Sequence, residues 1–168
     1  MGILGLIGIG RLGSAIAERL LAAGFTVNGH DTDPERLAAF AKAGGTPSIP
    51  RRCDRVILCL PSHAAVLEVT ATLAEVQYII DLTNAEPEQS ETLAASLREQ
   101  GIFYVDAPVC EWCETVRKDG GKVVCGGDQR AVEACHDIFE AFARPLIYAG
   151  PSGSGTRMKK ALEHSTAS

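Results

Sequence analysis

Apolar residues follow two recurring patterns along this chain of 168 residues. Short continuous apolar runs predict β-strands that are covered on both faces, as in a parallel sheet. These runs are residues 2–7, 25–29, 55–60, 76–82, 102–105, 122–125 and 145–148. Helical spacing predicts a first helix that ends near residue 23. It predicts four further helices, over about 34–43, 63–74, 87–100 and 131–143. Strands that alternate with helices predict a single α/β domain with a doubly wound, mostly parallel sheet.

Capping residues and breaks in periodicity mark the element boundaries. Asp33 and Ser62 are typical N-caps at the starts of their helices. The segment from Thr46 to Pro50 is expected to be a loop. Residues 110–121 have no clear periodicity and predict a loop or a short helix, and a final helix is predicted to begin at Thr156.

A glycine-rich turn joins the first strand to the first helix, and the second strand ends near Asp31. A strand, glycine turn, helix, strand and acid in this order are typical of a Rossmann dinucleotide-binding unit. Gly8 permits the tight turn, Gly10 lets the backbone approach a pyrophosphate, and Gly13 lets helix and strand pack closely. The helix N-terminus offers N–H groups to phosphates, and Asp31 is expected to accept hydrogen bonds from adenosine ribose hydroxyls. The alternative is a glycine turn in an ordinary βαβ unit.

Further polar segments follow the predicted strands. Ligands of open α/β sheets bind outside the carboxyl ends of the strands. One crevice is therefore predicted to collect the glycine turn, Asp31, Leu60-Pro61-Ser62, Leu82-Thr83-Asn84 and Asp106-Ala107-Pro108.

The charge and the hydropathy exclude several classes of partner. The formal net charge is −5 and the sequence has no run of basic residues, which argues against a nucleic acid or an anionic membrane. No apolar stretch approaches the length of a membrane span. The apolar start lacks a preceding basic region and a cleavage site, so it predicts a strand and not a signal peptide.

The six cysteines fit a cytoplasmic protein with reduced thiols. Cys110 and Cys113 form the only CxxC motif. A zinc site needs two more ligands at a suitable spacing, so no metal is expected. A functional disulfide between these two cysteines is the alternative.

Six segments in one register carry a resemblance that covers essentially the whole chain. They are Gly5–Gly13, Cys59-Leu60-Pro61, Asp81–Asn84 with Pro87–Ser90, Asp106–Val109, Gly126–Asp128 and Gly153–Lys159. Together they resemble the cofactor domain of the β-hydroxyacid dehydrogenases, the family that includes 3-hydroxyisobutyrate and 6-phosphogluconate dehydrogenases. The resemblance implies an oxidoreductase that transfers hydride between a nicotinamide dinucleotide and a small hydroxy acid or related substrate.

The resemblance also implies roles for individual residues. Those that would contact the cofactor are Gly8, Ile9, Gly10, Arg11, Leu12, Gly13, Asp31, Thr32, Leu60, Pro61, Ser62 and Asn84. Lys159 would hydrogen-bond the substrate hydroxyl and shuttle its proton. The alternatives are that Lys159 is a solvated lysine on a charged helix end, or that Lys160 is the catalytic lysine.

The expected cofactor is NAD, with NADP less favoured. Relatives that use the phosphorylated cofactor tend to have Asn-Arg where this chain has Asp31-Thr32. A carboxylate suits free ribose hydroxyls and repels a 2′-phosphate. Arg36 works against this preference, because it could reach a phosphate.

The sequence departs from the family pattern on the substrate side. Cys110, Glu111 and Trp112 stand where the family has Ser-Gly-Gly, which cradles a substrate carboxylate, so these three are the candidate substrate residues. Trp112 is expected to be a partly exposed packing anchor, or else the wall of an apolar substrate site. Leu162 and Glu163 replace asparagines of the family.

Residues 1–153 are expected to form the dinucleotide-binding domain. Residues 154–168 are expected to begin a helix that would lead into a C-terminal helical domain, which the family has and this sequence lacks. One alternative is a stand-alone nucleotide-binding or regulatory module without turnover, and another is an imine-reductase-like relative. A homodimer formed through the final helix is a further possibility.

Overall fold

The computed structural model of the protein describes residues 2–166, and eight strands of this part form one sheet. The strands are β1 (Ile3–Ile7), β2 (Thr26–His30), β3 (Thr46–Pro47), β4 (Arg55–Leu58), β5 (Tyr78–Asp81), β6 (Phe103–Asp106), β7 (Gly121–Gly126) and β8 (Ala143–Gly150). Their order across the sheet is β3-β2-β1-β4-β5-β6-β7-β8. All neighbouring pairs are parallel except β6 and β7, which run antiparallel.

Helices connect most of the strands. They are α1 (Arg11–Ala22), α2 (Pro34–Lys42), α3 (His63–Thr70), α4 (Pro87–Glu99), α5 (Cys113–Asp119), α6 (Gln129–Ala134), α7 (His136–Phe142) and α8 (Ser154–Thr166). None of the helices described in residues 2–166 is long and apolar enough to cross a membrane.

The core consists of two apolar clusters on opposite faces of the sheet. Strand β4 supplies both, because alternate side chains of a strand point to opposite faces. Ile57 packs in the cluster that includes Ile16 of α1, whereas Val56 packs in the cluster that includes Val66 of α3 and Leu93 of α4. Burial on both faces explains the continuous apolar runs of the sequence.

The predicted doubly wound, mostly parallel α/β fold is confirmed. Successive strands move outward from β1 in one direction to β3 and from β4 in the other to β8. The order reverses between β1 and β4, which is the position where such sheets bind ligands. The predicted caps are also confirmed, since Asp33 accepts from the Glu35 amide and Ser62 from the Ala65 amide.

Two local predictions are wrong. Thr46 and Pro47 form the edge strand β3, paired with Asn28 and Gly29, where a loop was expected. Two residues are too few to show a strand periodicity. The helix predicted over 131–143 is two helices, since the backbone leaves helical geometry at Cys135.

The structure describes most of the predicted final helix, the ambiguous segment 110–121 and the predicted domain bounds. The final helix begins at Ser154, two residues earlier than predicted, and residues 113–119 of the ambiguous segment form α5. The first residue of the predicted segment 1–153 and the last two of the segment 154–168 lie outside the described residues.

Close backbone contacts lock the glycine turn onto β4. Gly8 has a φ of +94°, and a Cβ there would overlap the carbonyl group of Cys59. A Cβ at Gly13 would overlap the carbonyl oxygen of Gly8. Only glycine therefore lets α1 start directly above the turn.

Gly13→Ala is expected to lower the free energy of unfolding by more than about 2 kcal/mol, because the methyl group must displace backbone atoms. The effect outweighs the roughly 1 kcal/mol by which alanine favours a helix. Urea denaturation measures it. Gly2→Ala is the matched control, since a Cβ at Gly2 meets no atom within 4 Å. Equal stabilities of the two variants would contradict the packing argument.

Candidate functional site

The glycine turn presents free backbone at the start of α1. Gly10 is the N-cap and provides no side chain to cap the helix. A Cβ at Gly10 would meet only the Arg36 guanidinium, at 3.8 Å, so the space above this residue is open. An open, uncapped helix N-terminus fits the pyrophosphate of a dinucleotide. Ile9 and Gly13 are buried below the turn, whereas Arg11 is exposed and Leu12 half-buried.

Asp31 lies directly after β2 and holds the glycine turn from the side. One carboxylate oxygen accepts the Ile9 N–H at 2.8 Å and the other accepts the Asp33 N–H at 2.9 Å. The Arg36 guanidinium lies 3.7 Å away. Burial opposes ionisation, but these hydrogen bonds and Arg36 lower the pKa of Asp31 below its ordinary value. The ionised carboxylate is therefore a structural tie as well as a candidate ribose acceptor, next to the exposed Thr32.

A chain of buried hydrogen bonds supports the loop that follows β4. The Leu60 N–H donates to the Thr83 hydroxyl at 3.0 Å, and the Thr83 N–H donates to Asp81 at 2.9 Å. The Tyr104 hydroxyl donates to the second oxygen of Asp81 at 2.7 Å. The half-buried Leu60 and the exposed Pro61 and Ser62 are thus held from the strands below.

The structure brings Lys159 and Asn84 together. The Lys159 ammonium group donates to the Asn84 side-chain oxygen at 2.7 Å, and Glu163 lies 3.8 Å from the same nitrogen. Lys160 pairs with Glu86 instead. Of the two lysines considered from the sequence, Lys159 is therefore the one that contacts a candidate cofactor residue.

Lys159 lies between two open cavities. The first has a volume of about 680 Å³ and is lined by Pro61, Ser62, His63, Asn84, Glu86 and Lys159, among others. The second has a volume of about 560 Å³ and is lined by Cys110, Glu111, Trp112, Lys122, Lys159 and Leu162, among others. A single amine thus faces both the candidate cofactor side and the candidate substrate side. The glycine turn lies outside both cavities.

The substrate-side residues differ in burial. Trp112 is 83% exposed, so its interpretation as a packing anchor is wrong. It is the N-cap of the short helix α5, and its ring stands on the rim of the second cavity. Glu111 is exposed, whereas Cys110 is half-buried, and burial raises the pKa of its thiol.

All six cysteines carry free thiols. Burial raises the pKa of Cys59, Cys125 and Cys135 to about 12, which makes these thiols poor nucleophiles at neutral pH. Within residues 2–166, no cluster of three or more His, Cys, Asp or Glu side chains could hold a metal ion.

Sequence reasoning missed His63 and the Asp81–Tyr104 pair. His63 lines the first cavity, and its Nδ1 is buried without a hydrogen-bond partner in the described part of the chain. Burial lowers the pKa of His63, which favours a neutral imidazole. Its place directly after Pro61-Ser62 was the available signal. The Asp81–Tyr104 pair gave none, because its members lie 23 residues apart.

The fold and the site define a nicotinamide-dinucleotide-binding domain of Rossmann type. Residues 3–150 match the family model described as the NAD binding domain of 6-phosphogluconate dehydrogenase. The chain belongs to this family, which confirms the resemblance seen in the sequence.

Similar proteins support the same assignment. L-threonate dehydrogenase of Cupriavidus necator is 31% identical over 93% of this chain, which spans 57% of that protein. The solved structure of Mycobacterium tuberculosis 3-hydroxyisobutyrate dehydrogenase with L-serine shares the fold, with a TM-score of 0.93 at 22% identity. The match covers 99% of this chain and 60% of the chain of that dehydrogenase. An imine reductase of Myxococcus stipitatus with NAD⁺ shares the fold, with a TM-score of 0.91 at 19% identity and coverage of 99% and 61%.

Asp81→Asn is expected to make stability less dependent on pH. Burial raises the pKa of Asp81 from 3.8 to about 6. Between these values the folded state holds a proton that the unfolded state has released, so stability falls as the pH rises through this window. Asparagine keeps both partners, because its oxygen accepts from Thr83 and its amide donates to Tyr104.

Urea denaturation at pH 4, 5, 6 and 7.5 tests this prediction. The gain in unfolding free energy of the Asp81→Asn variant over the parent is expected to grow by up to about 3 kcal/mol from pH 4 to pH 7.5. Asp33→Asn, which keeps the cap of α2 at a partly exposed position, is the control for an Asp-to-Asn change outside the core. Parallel curves for Asp81→Asn and the parent would refute the prediction.

Proposed function

We propose that this chain binds NAD and forms the cofactor-binding part of a dehydrogenase that acts on a small hydroxy acid or a related compound. The observation that carries the proposal is the position of Lys159, whose amine contacts Asn84 and faces both cavities. Bound NAD accepts the hydride in such a reaction. The chain spans about three fifths of the relatives it matches, so the activity of the whole enzyme is part of the proposal.

The cofactor would lie along the carboxyl ends of the strands. The N-terminus of α1 faces the pyrophosphate with unpaired N–H groups and a favourable dipole. Leu60, Pro61, Ser62 and Asn84 then flank the nicotinamide end, in or beside the first cavity. The buried bonds of Thr83 and Asp81 fix this loop before any ligand arrives.

Lys159 would hold the substrate and move its proton. Its nitrogen would bind the substrate hydroxyl from the side of the second cavity and, as the neutral amine, would take up the proton of that hydroxyl as the hydride leaves, which converts the amine to the ammonium form. Asn84 orients the amine through the 2.7 Å hydrogen bond. Glu111 and Trp112 border the same cavity in place of the small residues of the family, which favours a hydroxy acid or related compound of low net negative charge over a strongly anionic one.

We further propose a preference for NAD over NADP. The ionised Asp31 would repel a 2′-phosphate, and its remaining lone pairs suit ribose hydroxyls. The Arg36 guanidinium, 3.7 Å from Asp31, weakens this repulsion and is the group that would attract NADP.

The predictions about the end of the chain, its location and its partners are also part of this proposal. The segment from residue 154 would lead into a further domain that completes the substrate site, and the working location would be the cytoplasm. A small-molecule substrate is expected, with neither nucleic acid nor membrane as a partner, and a homodimer stays a prediction. Binding without turnover is a second candidate function, favoured by Glu111 and Trp112, which border the second cavity in place of the family's small residues.

Calorimetric titration with NADH and with NADPH tests the cofactor preference. The parent chain is expected to bind NADH more tightly. Asp31→Ala should reduce the ratio of the two affinities about tenfold, because about 1.4 kcal/mol of repulsion is lost. Arg36→Ala is the matched control. It should lower the affinity for NADPH and leave the affinity for NADH nearly unchanged. An unchanged ratio in Asp31→Ala would remove Asp31 from the ribose site.

Lys159→Ala is expected to lower turnover at least about 100-fold while NADH binding persists, because proton transfer is lost and the cofactor contacts remain. The assay follows NADH formation with L-serine, L-threonate or 3-hydroxyisobutyrate. Lys160→Ala is the matched control and should retain activity. NADH binding without turnover of any substrate in the parent chain would favour the second candidate function.

A further inference from the structure

We propose that Asp106 is a positioning residue for Lys159: it fixes the first turn of α8 on the sheet, and thereby sets where the lysine stands. The proposal rests on the proposed role of Lys159. It concerns a buried carboxylate at the end of β6, which contacts neither cavity directly.

The carboxylate of Asp106 accepts three hydrogen bonds from the start of α8. One oxygen accepts the Gly153 N–H at 2.8 Å, and the other accepts the Thr156 N–H at 2.9 Å and the Thr156 hydroxyl at 3.3 Å. The residue is 2% exposed. The first N–H groups of a helix have no partner inside the helix, and a carboxylate at this end is favoured by the helix dipole. No acidic residue of α8 itself lies in its first turn.

Close packing leaves this first turn little freedom. A Cβ at Gly155 would lie 2.7 Å from the Asp106 carbonyl oxygen and 2.8 Å from that of Val124. The helix therefore starts in contact with the backbone of β6 and β7. The Thr156 hydroxyl also lies 3.4 Å from the hydroxyl of Ser90 in α4.

Lys159 follows Thr156 by three residues, which is just under one helical turn. A shift of the anchored turn therefore moves the base of the lysine side chain by a similar amount. Asn84, the partner of Lys159, directly follows Thr83, whose N–H donates to Asp81, the register partner of Asp106 on the neighbouring strand. Adjacent strand ends thus fix the two sides of the Lys159–Asn84 contact.

The geometry separates this role from an ordinary structural cap. An ordinary cap contributes stability alone, and its loss leaves the reactive groups of the folded molecule in place. Asp106 acts on the one helix turn that carries Lys159. A misplacement of about 1 Å at a reacting group can lower a rate about 100-fold without unfolding the protein.

The test compares Asp106→Asn with Asp128→Asn. Asparagine keeps the shape of the side chain, but one of its ends presents an NH₂ group to the amides that Asp106 accepts. Asp128 caps α6 by accepting the Arg130 N–H at 2.9 Å, so it is a capping aspartate on a helix without Lys159. Both variants are examined as the full chain.

The main measurement is the NMR signal of ¹³C-dimethylated lysines, assigned with Lys159→Arg and Lys160→Arg. Asp106→Asn is expected to shift the Lys159 signal and to leave the NADH affinity within about threefold. Asp128→Asn should leave the Lys159 signal in place. Where the parent turns over substrate, kcat of Asp106→Asn should fall about 100-fold with little change in KM.

A second pair of variants keeps the test valid if Asp106→Asn does not fold. Thr156→Val removes the hydroxyl that donates to Asp106. It should shift the Lys159 signal in the same direction as Asp106→Asn does. Thr156→Ser retains the hydroxyl and should restore the parent signal. An unshifted Lys159 signal in a folded Asp106→Asn, or in Thr156→Val, overturns the positioning role.

The outcomes also separate this inference from the proposed function. A shifted Lys159 signal in a chain whose parent shows no turnover supports the control of Lys159 by Asp106 and counts against catalysis by Lys159. Turnover in the parent with an unshifted signal in the variants leaves the dehydrogenase proposal standing and refutes the positioning role.

Discussion

Buried aspartates at the carboxyl ends of three strands hold the whole candidate site together. Asp31 accepts backbone N–H groups of the glycine turn and of the loop after β2. Asp81 accepts the Thr83 amide and, through the Thr83 hydroxyl, supports Leu60. Asp106 accepts two amides at the start of α8. Charge-assisted hydrogen bonds to backbone outweigh burial at Asp31, whose pKa is lowered, whereas burial still raises the pKa of Asp81 and of Asp106.

This arrangement explains how loops distant in sequence form one site. The glycine turn, the loop after β4, the loop after β5 and the start of α8 are each tied to the end of a strand by these hydrogen bonds. Lys159 and Asn84 lie 75 residues apart, yet their side chains meet at 2.7 Å because α8 and the loop after β5 are anchored on adjacent strands. Preorganisation of this kind would place the amine of Lys159 without the cost of ordering it later.

Much of the fold and part of the site could be predicted from the chain itself. The position of the glycine turn could be predicted, because Gly8 and Gly13 stand where a Cβ would overlap backbone atoms and only glycine fits. The caps Asp33 and Ser62 act within three residues of their own position. The edge strand at Thr46 and the break at Cys135 escaped prediction, since two residues carry no period and one residue interrupts a helix without a proline or glycine.

The sequence by itself determined the alternation of strands and helices, the dinucleotide-binding turn and the candidate lysine. The alternation and the turn depend on local backbone preference and on the burial of apolar faces, which neighbouring residues specify, whereas the candidate lysine follows from the family resemblance. Only the tertiary structure decided that Lys159 and not Lys160 meets Asn84, that Trp112 is exposed on a rim, and that Asp106 caps a helix some 50 residues away. Such contacts depend on which strand ends become neighbours in the sheet. The periodicity of a sequence does not specify this strand order.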